Sequence, residues 1–326
     1  MTKSTRYFMA GSATIMAVGL CAGLVAFYGG GFQALSASTG PTELIYVPAD
    51  ATVVAYADVR SIMDSQLRQE LKQAIPPTAD GQKEFQDKTG IDIERDIDYV
   101  VAAMTSFGTG HPSGLVVARG RFDTVALEGL ARQHGAAVEE YKGKRLVTTP
   151  AHVEGSSERF TMAFLEPGLV GVGSDAAVRH AIDAAASATS ITSNDEMMEL
   201  VKDIERYNNA WAVGRFDVIA SQAQLPEQVA RQIPPVKWFA AAGHINGGVS
   251  GLLRAEAKDD TSAQQLRDVL RGFLALAQLQ GQNDQRIASL ASSMQLSGEG
   301  KTVALSFTVP AEILQLIKPA IREAQQ

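Results

Sequence analysis

The stretch from Phe8 to Tyr28 carries no charge and is built mainly from Ala, Val, Leu, Gly and Met. Its ~21 residues, at ~1.5 Å rise each, span ~30 Å as a helix, the thickness of a bilayer's hydrocarbon core. A segment of that length and polarity belongs in a membrane, so the rest of the chain has to fold on one side of it. Lys3 and Arg6 are the only charged residues before Glu43, and cationic flanks stay in the cytoplasm. The expected topology is a cytoplasmic tip over residues 1–7, a transmembrane anchor over 8–28 and a body on the far side. A single-pass membrane protein with its body outside the cytoplasm is expected. Cleavage after Ser36, with Ala34 and Ser36 as the small residues, is the competing reading of the same segment. A lipoprotein signal is not expected, because Leu20 stands before Cys21 where a small residue is required. Gly19 and Gly23 have the spacing that lets two membrane helices approach closely, which makes them the candidate residues for anchor dimerisation and a homodimer.

Residues 29–42 are rich in Gly, Ser and Thr and uncharged, the composition of a flexible spacer. Beyond them the chain is ordinary globular material, 45% hydrophobic and 20% charged over all 326 residues. The net charge is −7, and since both charges of the tip are positive the body alone is more acidic still. Nucleic acid is therefore not an expected partner. The one cysteine, Cys21, lies in the apolar run, so the body has no thiol for a disulfide or a metal site.

The body reads as one unit written twice. Gly114 to Ala126 aligns without a gap on Gly251 to Ala263, sharing Gly-Leu, then Ala118 with Ala255, basic Arg121 with Lys258, and Asp-Thr-x-Ala from Asp123 and Asp260. At the same offset Tyr99 to Phe107 falls on Val236 to His244, both strand-like. Each copy is expected to run strand, helix, strand, strand, helix, strand pair, helix, an α+β class, with a first repeat over 43–190 and a second over 191–326. Asn246-Gly247-Gly248 signals a type I′ hairpin, and Gly298-Glu299-Gly300 a second turn. The helix from Thr261 is expected to bury Leu266, Val269, Leu270, Phe273, Leu274 and Ala277, and a last helix to use Ile313, Leu314, Leu316, Ile317 and Ile321. Asp58, Asp123, Asp175, Asp217 and Asp260 each stand where a strand hands over to a helix, as caps facing free backbone N–H groups.

The chemical signatures reduce to structure when tested. Gly300-Lys301-Thr302 lacks the first glycine of a phosphate loop and lies between strands. Gly171-Val-Gly-Ser-Asp-Ala176 resembles a dinucleotide turn, but no second strand ending in an acid follows at the required distance. Asp92, Glu94, Asp96 and Asp98 alternate, yet a calcium loop counted from Asp92 would need glycine and glutamate where Ile97 and Ala103 stand. His111, His134, His152, His180 and His244 have no metal-ligand spacing, and no nucleophile-elbow motif occurs. No catalytic residue, cofactor or metal ligand is assigned. Trp211, Trp238 and Phe239 fall within strands, where they are core residues or, if exposed, a partner-binding surface.

Val47-Pro48-Ala49-Asp50-Ala51 leading into Val54 to Val59, Gly90-Ile91-Asp92 before Asp96-Ile97-Asp98, and the paired Gly-Arg-Phe-Asp segments at 120–123 and 214–217 carry a resemblance. Together with the anchor, they make the chain similar to a family of uncharacterised bacterial envelope proteins. The resemblance implies the extracytoplasmic address and implies no activity. The expected function is a non-enzymatic, membrane-tethered binding or scaffold protein with an envelope protein as partner. The alternative is an extracytoplasmic hydrolase with its site at the junction of the two repeats.

Overall fold

The computed structural model describes residues 41–69, 86, 90–106, 113–150, 159–205, 208–222, 234–282 and 285–310. The anchor with Gly19 and Gly23, the spacer up to residue 40, His111, His152 and the helix expected from Ile313 to Ile321 lie outside these residues. Among the described residues no helix is long and apolar enough to cross a membrane.

β-branched and aromatic runs punctuated by glycine give strands β1 (Val53–Ala57), β2 (Ile97–Met104), β3 (Gly114–Gly120), β4 (Ala137–Tyr141), β5 (Lys144–Thr148) and β6 (Phe160–Glu166). They continue as β7 (Leu169–Ser174), β8 (Ala210–Arg215), β9 (Val236–Ile245), β10 (Gly248–Ala257), β11 (Gln295–Ser297) and β12 (Thr302–Pro310). All join in one antiparallel sheet of order β11-β12-β10-β9-β8-β1-β2-β3-β7-β6-β5-β4. The chain is therefore α+β, and strands from both of its halves share one sheet. The seam is β1 against β8, with Ala55 opposite Ala212 and Tyr56 opposite Trp211. Outward from the seam the order is β1-β2-β3-β7-β6-β5-β4 on one side and β8-β9-β10-β12-β11 on the other, so β5 and β4 have no counterpart.

Helices follow the strands at matching points: α1 (Val59–Met63) after β1 and α6 (Phe216–Gln222) after β8, α3 (Thr124–Gln133) after β3 and α7 (Asp260–Gly281) after β10. The others are α2 (Ile93–Asp96), α4 (Asp175–Ser187), α5 (Asp195–Glu205) and α8 (Gln285–Ser293). On one face of the sheet, Val54, Val101, Val117, Leu146, Leu165, Val213 and Trp238 pack with Val178 and Ile182 of α4 and Met197, Val201 and Ile204 of α5. Central strands covered on both faces are apolar throughout, as in β1, so the opposite face also holds small apolar clusters, Ala55, Ala102 and Ala212 among them.

Several expectations are corrected. Asp58 and Asp123 cap α1 and α3 through Ser61 N and Ala126 N. Asp175, Asp217 and Asp260 instead sit inside the first turn; Ser174 caps α4 and Asp259 caps α7. A hydrogen-bonding side chain one residue earlier takes the cap in α4 and α7, and the carboxylates still face the positive helix end. The hairpin at Asn246-Gly247 forms, but neither residue has the positive φ of a type I′ turn. The Asn246 carbonyl instead accepts from Leu67 N, so a tertiary contact sets the turn. The I′ backbone occurs at Lys142 (φ 48) and Gly143 (φ 74), which join β4 to β5. α5, α8, β4 and α2 are additions to the expected pattern. α5 follows the Ser/Thr-rich stretch from Ser187 to Ser193 and buries Met197, Met198, Leu200, Val201 and Ile204.

Candidate functional site

Among the described residues, two departures from the rule of apolar inside and polar outside stand out. The first is a buried carboxylate. Glu43 lies in the 3-10 turn Thr42–Tyr46, and it is 1% exposed. Arg119 on β3 donates to its Oε1 through Nε at 2.9 Å and Nη2 at 2.6 Å. Tyr99 on β2 donates its hydroxyl to the same oxygen at 2.9 Å, and the Thr42 hydroxyl donates to Oε2 at 3.2 Å. Arg119 also reaches Glu166 on β6 at 3.3 Å, and Tyr46 donates to the other oxygen of Glu166 at 3.0 Å. Tyr56 stacks on Trp211 and tilts against Tyr99 beside this cluster.

Burial pushes the Tyr46 phenol up to about 12, helped by its bond to Glu166. Burial raises Tyr56 as well, and Tyr99 further through its bond to Glu43. For Arg119 burial pulls downward, but Glu43, Tyr99 and Glu166 outweigh it and keep the guanidinium charged. Arg119, Tyr99 and Thr42 converging on one buried carboxylate describe a clamp. The cluster ties the turn after residue 41 to three strands at once.

The second region is α7 with α8. Along α7 the positions Leu266, Leu270, Leu274, Ala277 and Gly281 face inward, spaced three and four apart. Leu266 and Leu270 pack with Ala257, Val303 and Leu296. Val303 pairs with Ala255, which pairs with Phe239, so α7 lies on the sheet face opposite α4 and α5. Gly281 lets α8 close against α7, since a Cβ there would come within 2.7 Å of the Ala288 backbone.

Beside the packed stripe runs a second one that faces solvent. Val269 is 41%, Phe273 64%, Leu276 57% and Leu279 59% exposed. The expectation that Val269 and Phe273 are buried is thus corrected: the helix has a wider apolar arc than the sheet and α8 cover. From Gly272 to Gln282 α7 and the residue after it carry no charge at all. Scattered exposed leucines are normal, but a contiguous large-residue ridge on one helix is the mark of an interaction surface.

The residues singled out from sequence lie elsewhere. Trp211 and Trp238 are 3% and 2% exposed, both in the main core, and Phe239 is half-buried against Ala55 and Ala102. The two indoles therefore form no exposed platform; Trp238 gives its Nε1–H to Glu196 at 2.8 Å, and Arg215 lies over its ring. In the dinucleotide-like turn, Gly173 is needed because a Cβ would sit 2.4 Å from the Gly114 carbonyl of the neighbouring strand. In the paired Gly-Arg-Phe-Asp segments, Gly120 and Gly214 likewise admit the backbone at Asp96 and at Thr52. Gly298 and Gly300 take positive φ in the β11–β12 turn. Asp92 caps α2, and Glu94 and Asp98 pair with Arg68 and Arg60. Among the described residues no group of three or more His, Cys, Asp or Glu could hold a metal ion. The β1–β8 junction brings together Tyr56, Trp211 and small apolar residues.

No protein family matches the chain, and no curated protein matches it. Among solved structures, crystal form I of TP0453 aligns with 87% of this chain and 99% of its own, at 14% identity and a TM-score of 0.44.

Proposed function

We propose that this chain is a membrane-tethered, extracytoplasmic binding or scaffold protein of the bacterial envelope, and that the α7–α8 hairpin is its binding element. The observation that carries the reading is the solvent-facing ridge of Val269, Phe273, Leu276 and Leu279. Leaving side chains of that size in water forgoes roughly 1–2 kcal/mol each, a cost that burial against a partner would recover. The uncharged run Phe8 to Tyr28 supports the tether, and Lys3 and Arg6 support its orientation. Gly19 and Gly23 would let two anchors meet.

The body is read as an internal duplication, with β1, β2, β3, β7 and β6 equivalent to β8, β9, β10, β12 and β11. The mirrored strand order about the seam and the matching Gly114–Ala126 and Gly251–Ala263 segments support this. On that reading, the second copy kept the sheet and converted its longest helix into a docking surface.

Cell fractionation tests the tether. The full-length chain is expected in the inner-membrane fraction, and protease added to spheroplasts is expected to degrade the body. A cytosolic product, or a body untouched by external protease, overturns the proposal.

A further inference from the structure

We propose that the ridge of α7 seats a second copy of this chain, two α7–α8 hairpins packing across a two-fold axis as a four-helix bundle. The inference rests on the reading of the hairpin as a binding element and names its occupant. Val269, Phe273, Leu276 and Gln280 follow each other at intervals of four, three and four, the a/d alternation of a helix–helix seam. This seam is offset from the stripe that packs inside the molecule, so α7 has one apolar face for its own fold and one for another helix.

Area supports a copy of the same surface. Val269, Phe273, Leu276 and Leu279 together expose roughly 400 Å², the scale at which an apolar patch marks an interaction site. A two-fold contact uses the same patch twice. With the helix surface around it, burial on the order of 1,000 Å² reaches the lower bound of a specific interface.

Charge is compatible too. The uncharged run from Gly272 to Gln282 lets two acidic molecules meet without like charges at the centre.

Cysteine crosslinking of the full-length chain in detergent micelles tests this. Cys21→Ser removes the native thiol, Gly19→Leu with Gly23→Leu silences the anchor pair, and single cysteines are placed at Val269, Leu276 or Gln280. A control uses Val125→Cys on α3, where the side chain is 80% exposed. At least one seam position is expected to form a disulfide-linked dimer ~10-fold faster than the control, as the effective concentration at a contact dictates. Phe273→Glu, and independently Phe273→Ser, should abolish that advantage while leaving the circular dichroism spectrum unchanged. Rates equal to the control at every seam position overturn the second copy. If Phe273→Glu then still abolishes binding to neutral phosphatidylcholine vesicles or to another envelope protein, the binding reading stands without the dimer. If Phe273→Glu changes neither, both fall.

Discussion

The two halves of the sheet solve opposite problems. In the first half a carboxylate, Glu43, is taken fully out of water and surrounded by Arg119, Tyr99 and Thr42. In the second half, phenylalanine and leucine side chains on α7 are left in water beside a stripe that is packed. A buried ion pair is a weak source of stability but a strict one, because removing one partner strands the other. An exposed apolar ridge contributes nothing to the fold it sits on. The first half thus sets a buried polar cluster beside its apolar core, and the second leaves large apolar side chains in water.

The largest effect should come from breaking the clamp. Arg119→Met leaves Glu43 buried and unpaired, and urea unfolding should register a loss of about 3–5 kcal/mol. Glu43→Leu with Arg119→Met removes both charges and should recover most of that loss, which a double-mutant cycle reads as coupling. Failure to recover would mean that the clamp acts through Tyr99 and Thr42 rather than through the pair.

Next in size is Gly120→Ala. A Cβ at Gly120 would lie 2.0 Å from the Asp96 carbonyl, so β2 and α2 must shift, with a cost of about 1–3 kcal/mol. The same substitution at Gly129, where nothing lies within 4 Å, should be neutral or slightly stabilising. Equal effects at the two sites would contradict the close approach.

The ridge should behave in the opposite way. In the dilute, monomeric protein Phe273→Ser is expected to change unfolding stability by no more than about 0.5 kcal/mol, since the side chain is mostly exposed. A loss of several kcal/mol would place Phe273 inside the fold and remove the contrast between the halves.

The smallest effect is a pH signature of the clamp. A phenol whose pKa is higher folded than unfolded contributes stability that is complete below its unfolded value of ~10. For Tyr46 that contribution is lost as pH rises through about 12. Absorbance titration of the tyrosines should show Tyr46→Phe removing one late-ionising group, with Tyr56 and Tyr99 also titrating late. Normal ionisation of all tyrosines in the folded protein would contradict the burial around Glu43.

Much of the sheet was legible because strand signals are local. The β6–β7 hairpin around Pro167-Gly168, the β9–β10 hairpin and the β11–β12 turn all stand where turn residues interrupt apolar runs. α5 was equally readable from the spacing of Met197, Leu200, Val201 and Ile204, but the Ser/Thr-rich residues before it masked its start, where Asn194 is the cap. Lys142-Gly143 escaped because lysine seldom takes positive φ.

The two regions that matter most were not legible, for different reasons. Nothing near Glu43 in the chain distinguishes it from a surface acid; its burial is set by Arg119, 76 residues away, and by Tyr99. On α7 the width of the apolar arc was evident, but periodicity cannot say which part of an arc the sheet will cover. Trp211 and Trp238 drew attention by size, and size is why the core takes them.

Site-specific photo-crosslinking in intact cells tests the central claim most directly. A benzophenone side chain is placed at Phe273 and, separately, at Val125, which is still more solvent-facing but on α3. The account predicts discrete, reproducible adducts from position 273, reduced when Leu276→Glu is added, and only background from 125. Background labelling at both positions, with the chain folded, would contradict it.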